Sequence, residues 1–264
     1  MFILFLSVLW FVLWVVFGAR KNKKIKIKDD LNLNWYGHRG LLNRAPENTW
    51  LGFQAALDAG FRSIEIDVLQ TKDGKIVCTH NFDLERETDG NGYIDYKTLS
   101  ELKIINAGAK WPNIEAKIPT LESVLIQLPA ECQVIIEIKT RKLMDWSTPI
   151  EVIKIIKKLK IQKGVIISSF NPMALRIIKC IDNTFETGLL FEDIRTVGLI
   201  SFVCPNYIHP RSDIVTGDLI EYAKRYKLGI NVWTVNSRVG MKFFIEKKVE
   251  GIITDYPEAI PNVI

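Results

Sequence analysis

Short apolar segments alternate with helix-like segments from about residue 35 to the end of the chain, and this alternation restricts the fold more than any other feature. Strands separated by helices pair in parallel, with the helices as crossovers that cover the sheet. The pattern predicts strands at Trp35–His38, Ser63–Leu69, Lys75–Thr79, Val134–Lys139, Val165–Ser169, Thr187–Phe191, Ser201–Cys204, Ile230–Val235 and Gly251–Thr254. Helical stretches are expected near 48–59, 120–128, 148–162, 172–181, 214–227 and 238–248. Thr71-Lys72-Asp73-Gly74 has turn chemistry, so Lys75–Thr79 should fold back antiparallel on the strand before it. Without that arm eight strands remain, the number in a (β/α)8 TIM barrel of about 250 residues. The predicted fold is therefore an α/β barrel over 32–264, with a small insertion after the second strand, about 81–130.

That insertion is rich in Gly, Asn and Asp, and a long excursion of this kind in a compact domain usually serves function. Its Phe82, Tyr93, Tyr96 and Trp111 are expected to pack its own core, with the lining of an apolar pocket at the rim as the rival role. The stretch 148–162 carries Val152, Ile155, Ile156 and Leu159 on one stripe and lysines elsewhere. It reads as an outer barrel helix rather than a membrane-lying one.

The first 19 residues stand apart. Met1 to Ala19 carries no charge, and a helix over 2–19 would be about 27 Å long, close to a bilayer's hydrocarbon thickness. Arg20, Lys21, Lys23, Lys24, Lys26 and Lys28 come after the apolar run instead of preceding it, which fits an uncleaved anchor better than a signal peptide. The expected organisation is a transmembrane anchor at 1–19, a basic juxtamembrane linker at 20–31 and the barrel beyond. The positive-inside rule then puts the barrel in the cytoplasm. The chain has 35 Lys plus Arg against 30 Asp plus Glu, but those six residues account for the excess. The body is near neutral, so its charge does not predict nucleic-acid binding. Cys78, Cys132, Cys180 and Cys204 show no metal-site spacing and are expected to be buried thiols rather than zinc ligands or disulfides.

Side chains alternate along a strand, so Glu65 and Asp67 share one face while Ile64, Ile66 and Val68 share the other. The same parity sets Glu137 and Lys139 against Ile136 and Ile138. In a barrel the apolar set faces the helices, which leaves Glu65, Asp67, Glu137 and Lys139 toward the axis, near the strand ends where barrel active sites are built. Buried carboxylates require a counter-charge. Three hard oxygen donors suit Mg²⁺ or Ca²⁺, and an ion-pair lattice with Arg39 and Lys139 is the alternative. His38 and His80 each end a strand on the same rim, whereas His209, in Tyr207-Ile208-His209-Pro210, reads as loop packing.

A series of motifs runs in order along the chain, opening with Gly37-His38-Arg39-Gly40 and Pro46-Glu47-Asn48-Thr49. Glu65-Ile66-Asp67-Val68, Thr71-Lys72-Asp73-Gly74, Thr79-His80 and Ile118-Pro119-Thr120-Leu121-Glu122 continue it. Glu137-Ile138-Lys139, Val232-Trp233-Thr234-Val235-Asn236 and Thr254-Asp255-Tyr256-Pro257 complete it. With this series, from about residue 35 onward, the chain resembles the glycerophosphodiester phosphodiesterase family, a TIM barrel with an insertion after its second strand. The resemblance implies that His38 and His80 are the acid–base pair and that Glu65, Asp67 and Glu137 bind one divalent cation. It also implies that Arg39 and Lys139 hold the phosphate and that Trp233 lines the pocket. The implied reaction cleaves a glycerophosphodiester to glycerol 3-phosphate and an alcohol. A membrane-anchored lysophospholipase D, taking a lysophospholipid substrate to lysophosphatidic acid, is the alternative. A non-catalytic membrane-tethered binding module would be expected to have lost a histidine or a metal carboxylate, and all five are present. One departure stands out: the family pattern has Asp after the second histidine, and this chain has Asn81, which predicts a shifted acid limb in the pH–rate profile.

Overall fold

The segment Ser63–Gln70 shows why the apolar runs become barrel strands: its residues from Ser63 to Leu69 are all buried, so both faces must be covered. The computed structural model describes residues 33–162 and 164–261. The predicted anchor at 1–19 and linker at 20–31 lie outside them. Among the described residues no helix is long and apolar enough to cross a membrane.

The chain begins with β1 (Asn34–Gly37), α1 (Trp50–Asp58), β2 (Ser63–Gln70) and β3 (Ile76–Cys78). Two helices of the insertion region come next, α2 (Leu99–Leu102) and α3 (Leu121–Gln127). Regular alternation then resumes with β4 (Gln133–Ile138), α4 (Ser147–Leu159), β5 (Val165–Ser169), α5 (Pro172–Ile181), β6 (Glu186–Phe191) and α6 (Ile200–Val203). It ends with β7 (Tyr207–Pro210), α7 (Gly217–Tyr226), β8 (Gly229–Val232), α8 (Arg238–Lys247) and β9 (Gly251–Thr254). Apart from β3 the strands pair in parallel, and β1 closes the ring by pairing with both β9 and β2. β3 lies antiparallel on the far end of β2, Val68 to Gln70, as the turn chemistry predicts.

Ile64, Ile66, Val68, Val134, Ile136 and Ile167 face outward and pack with Phe53, Ala56, Val152, Ile156, Leu175 and Ile178 of the helices. Full burial of each such side chain stabilises by about 1.5–3 kcal/mol. A smaller cluster of Tyr36, Ile135, Ile166 and Ile253 is separate from it and comes from the opposite strand parity, the barrel interior. The insertion has a third core of Leu84, Ile94, Leu102, Ile105 and Ile118, closed against Leu69 and Val77. Phe82 packs on that core, whereas Tyr93 and Tyr96 are exposed. Helices start at the active-site end of the barrel, several with side-chain caps. Thr49, Thr120, Asn171, Thr216 and Ser237 each accept a backbone N–H of the first turn, worth about 1 kcal/mol apiece. On α4, Val152, Ile153 and Ile156 are buried against the barrel, as an outer helix requires. The four cysteines are free of disulfides, but only Cys78 is buried, and Cys132, Cys180 and Cys204 are half-buried.

Two expectations need correction. Ser201–Cys204 is not a strand: Ile200 and Val203 lie one helical turn apart, both buried, within α6. The sixth barrel strand is instead Tyr207–Pro210, β7. Apolar content misled here because that strand has polar side chains at its inner positions and only four residues. His209 is accordingly not loop packing. Its ring is wholly buried inside the barrel, where Asn231 Nδ2 lies 3.0 Å from Nε2. Burial pushes His209 down to about 3, so the ring stays neutral. The ring fills the space a side chain on Gly188 would need: a Cβ there would lie 2.4 Å from Nε2. Gly188→Ala should therefore destabilise the barrel by about 1–3 kcal/mol. A lowered melting temperature would show it, and an unchanged one would mean the ring can move aside.

Candidate active site

The parity of β2 and β4 sets the chemistry. Glu65, Asp67 and Glu137 project inward, are all buried, and offer ligand oxygens within 4.8 Å of one another. Three like charges this close need cations, and two are present. Lys139 Nζ donates to Glu137 Oε1 at 2.6 Å and lies 3.2 Å from Asp67 Oδ1. Arg39 Nε lies 3.3 Å from Asp67 Oδ2, and the Arg39 backbone N–H donates to Glu65 Oε2 at 3.0 Å. Arg39 is aimed by Glu47, which accepts from Nη1 at 2.9 Å.

A tight turn places Arg39. Its φ is +53° and that of Gly40 is +88°, and a Cβ on Gly40 would lie 2.4 Å from the carbonyl carbon of Gly52. Only glycine lets β1 pass this close to α1. Asn48, buried just before α1, bonds Asp67 twice: its Nδ2 donates to Oδ2 at 2.9 Å, and its Oδ1 accepts the Asp67 N–H at 3.0 Å.

The balance of burial and charge differs among the carboxylates. Burial opposes ionisation of Asp67, but Lys139 and Arg39 outweigh it and hold this carboxyl below its ordinary range. Burial, with Asp67 and Glu137 as like charges nearby, pushes Glu65 well up. Burial raises Glu137 to about 7 despite Lys139. Lys139 is held above its ordinary value, since Asp67 and Glu137 outweigh its burial. The ion-pair lattice is thus real but incomplete: it satisfies Asp67 and leaves Glu65 and Glu137 short of positive charge. That shortfall, with all three donors being hard oxygens, fits a divalent cation.

The histidines flank this cluster. His38 comes directly after β1, with Nδ1 2.7 Å from Asp255 Oδ1. His80 comes after β3, with Nδ1 3.0 Å from Asn81 Oδ1. Burial pushes His80 down to about 4, with Asp67 opposing the shift and Lys139 and Arg39 reinforcing it. Trp233, beyond β8, donates through Nε1 to the His209 carbonyl at 2.7 Å and meets Phe170 edge-on at 5.6 Å. All eight residues singled out in the sequence lie at the strand ends of one rim. Four that received no role also belong here: Glu47, Asn48, Asn236 and Asp255. Their only signal was membership of the quoted motifs, because what they touch is distant in sequence.

Known proteins are similar to this chain over the stretch that carries these residues. The model of the glycerophosphoryl diester phosphodiesterase family matches residues 38–259. A glycerophosphodiester phosphodiesterase of Caldanaerobacter subterraneus subsp. tengcongensis is 34% identical over 236 residues, covering 86% of this chain and 96% of the relative. One from Bacillus subtilis is 25% identical, covering 100% of this chain and 96% of the relative. Among solved structures, a phosphodiesterase of Oleispira antarctica in complex with the product sn-glycerol-3-phosphate superposes with a TM-score of 0.77. It is 23% identical, over 85% of this chain and 93% of that one, which speaks for the fold alone. The glycerophosphodiester phosphodiesterase of Thermotoga maritima is 27% identical with a TM-score of 0.68, over 86% of this chain and 96% of that one. The fold and site define a barrel hydrolase of phosphoric diesters. The chain belongs to the glycerophosphoryl diester phosphodiesterase family, whose members depend on a divalent metal, and its acidic cluster is able to hold one.

Removing one carboxylate should weaken cation binding by more than the roughly 10–100-fold typical of outer-shell changes. Calorimetric titration of Glu137→Gln with Mg²⁺ and with Ca²⁺ checks this; wild-type affinity for both would remove Glu137 from the cation site.

Proposed function

We propose that this chain hydrolyses glycerophosphodiesters to glycerol 3-phosphate and an alcohol, with Mg²⁺ or Ca²⁺ bound by Glu65, Asp67 and Glu137. The observation that carries this reading is the charge balance of the site. Glu65, Asp67 and Glu137, together with Glu47 on Arg39, outnumber Arg39 and Lys139 by two negative formal charges. A divalent cation would offset that excess, so that Arg39, Lys139 and the cation together can face a phosphodiester's single negative charge. When bound, the cation supplies Lewis-acid stabilisation of the phosphoryl oxygens.

The protein's own groups supply the rest. Arg39 lies at the edge of the carboxylate cluster, with Nε against Asp67 and Nη1 on Glu47, and its role is to hold a phosphoryl oxygen. Lys139 adds a second positive charge at the same place, stabilising charge as it builds during displacement. His38 and His80 exchange protons with the nucleophile and the leaving oxygen through their Nε2 atoms, since each Nδ1 is engaged by a neighbour. Trp233 and Phe170 form an aromatic wall beside the mouth, suited to the non-reacting part of the substrate. The Caldanaerobacter and Bacillus relatives bear the glycerophosphodiester name, and the lysophospholipase alternative gains nothing from them. An anchor at 1–19 that holds the barrel on the cytoplasmic side of a membrane remains part of this proposal and rests on the sequence pattern alone.

His38→Ala and His80→Ala should each lower turnover of glycerophosphocholine by about 10²–10⁴. Near-normal turnover in either would remove that residue from the acid–base pair. A carboxylate beside an imidazole favours the charged ring, so Asn81→Asp should raise the His80 pKa and move its limb of the pH–rate profile to higher pH. Parallel pH titrations of wild type and variant check this, and coincident limbs would show that Asn81 does not tune His80.

A further inference from the structure

We infer that Asp255, locked in place by Asn236, is the positioning residue that gives His38 its working tautomer. The inference rests on the proposed acid–base role of His38 and names the groups that make this role possible. A neutral imidazole carries one N–H, and only one ring nitrogen can face the reacting atoms. His38 Nδ1 lies 2.7 Å from Asp255 Oδ1. A carboxylate only accepts, so Nδ1 must carry the proton and Nε2 is left to exchange one with substrate.

The carboxylate is itself fixed. Its second oxygen, Oδ2, accepts Asn236 Nδ2 at 2.5 Å. The Asn236 amide cannot turn over, because its Oδ1 already accepts the Asp255 backbone N–H at 2.9 Å and the Thr254 hydroxyl at 3.1 Å. The Thr254 hydroxyl in turn accepts the Tyr256 N–H at 3.1 Å, so its own proton is free to point at Asn236. Every donor and acceptor in this chain of contacts has one consistent assignment, ending at His38 Nδ1. Burial works against the charge on Asp255, but the hydrogen bond from His38 and the ring beside it prevail and hold the carboxyl below its ordinary range. His80 is held differently. An amide presents either oxygen or nitrogen, so Asn81 admits both tautomers of His80, whereas Asp255 admits only one of His38. Asp255 and Asn236 act through His38 rather than on the substrate.

The test uses the full chain with cation supplied, and combines turnover of glycerophosphocholine with ¹⁵N spectroscopy of labelled histidine. The chain has three histidines, so the spectrum is simple to assign. Asp255→Asn keeps the shape but lets the new amide donate to Nδ1. We expect His38 to leave the Nδ1–H tautomer and kcat to fall by about 10³–10⁴, as when an aspartate fixing a catalytic histidine is amidated elsewhere. KM should stay within about threefold, since a change confined to the reacting step leaves ground-state binding intact. Asn236→Ala should give a mixed tautomer population and a smaller fall in kcat, and it carries the same test should Asp255→Asn fail to fold. Wild-type kcat in Asp255→Asn alongside a crippled His38→Ala would overturn the inference and leave the acid–base reading standing. Lost kcat with the His38 tautomer unchanged would also overturn it, by reducing Asp255 to a structural part. Wild-type turnover in His38→Ala itself would instead sink the acid–base reading on which the inference rests.

Discussion

The structure depends on a repulsion. Glu65, Asp67 and Glu137 share one buried space at the end of the barrel, and no packing of apolar groups can make three carboxylates comfortable there. Their neighbours answer that need. Arg39 is bent into the site by its own left-handed backbone beside Gly40, and Lys139, directly after β4, reaches back to Glu137 and across to Asp67 on β2. Asn48 is buried beside α1 to satisfy Asp67 from both sides. Asp67, with most of these partners, is the settled member. Glu65 and Glu137 remain pushed toward their protonated forms, and that residual cost marks where an additional positive charge belongs.

The barrel supports this by separating its chemistry from its stability. The outward faces of the strands form the large apolar core with the helices, and the inner apolar cluster of Tyr36, Ile135, Ile166 and Ile253 packs the barrel interior. The insertion carries its own core, so His80 is delivered to the rim by a unit that stands on β2 and β3 rather than by a free loop. His38 comes from β1, with its partner Asp255 at the end of the adjacent β9. The two histidines are therefore braced by different parts of the fold and by different chemistry, one by a carboxylate and one by an amide.

Most of the barrel is legible in the sequence because two periodicities agree. Period-two alternation in Ser63–Leu69 and Val134–Lys139 is enough by itself to turn Glu65, Asp67, Glu137 and Lys139 inward. It fails at β7, where Tyr207 and His209 occupy inner positions and a nearby apolar turn, Ile200–Val203, offers a stronger but helical signal. The supporting residues are illegible for another reason. Asp255 lies 217 positions from His38, and Asn48 lies 19 from Asp67. Pairings of this kind depend on where the closed barrel brings chain ends together, which local pattern does not encode. His209 is misread as loop packing because a histidine wholly inside the barrel has no distinguishing sequence signature; only Gly188, small enough to admit its ring, hints at it.

The proposed function makes this a cation-dependent site for a glycerophosphodiester. The most direct measurement is release of glycerol 3-phosphate from glycerophosphocholine by the full chain, first stripped with chelator and then resupplied with Mg²⁺ or Ca²⁺. Turnover should be lost on chelation and return with at least one of the two ions. Turnover indifferent to chelator, or none with either ion in a folded protein, would contradict a cation-dependent site.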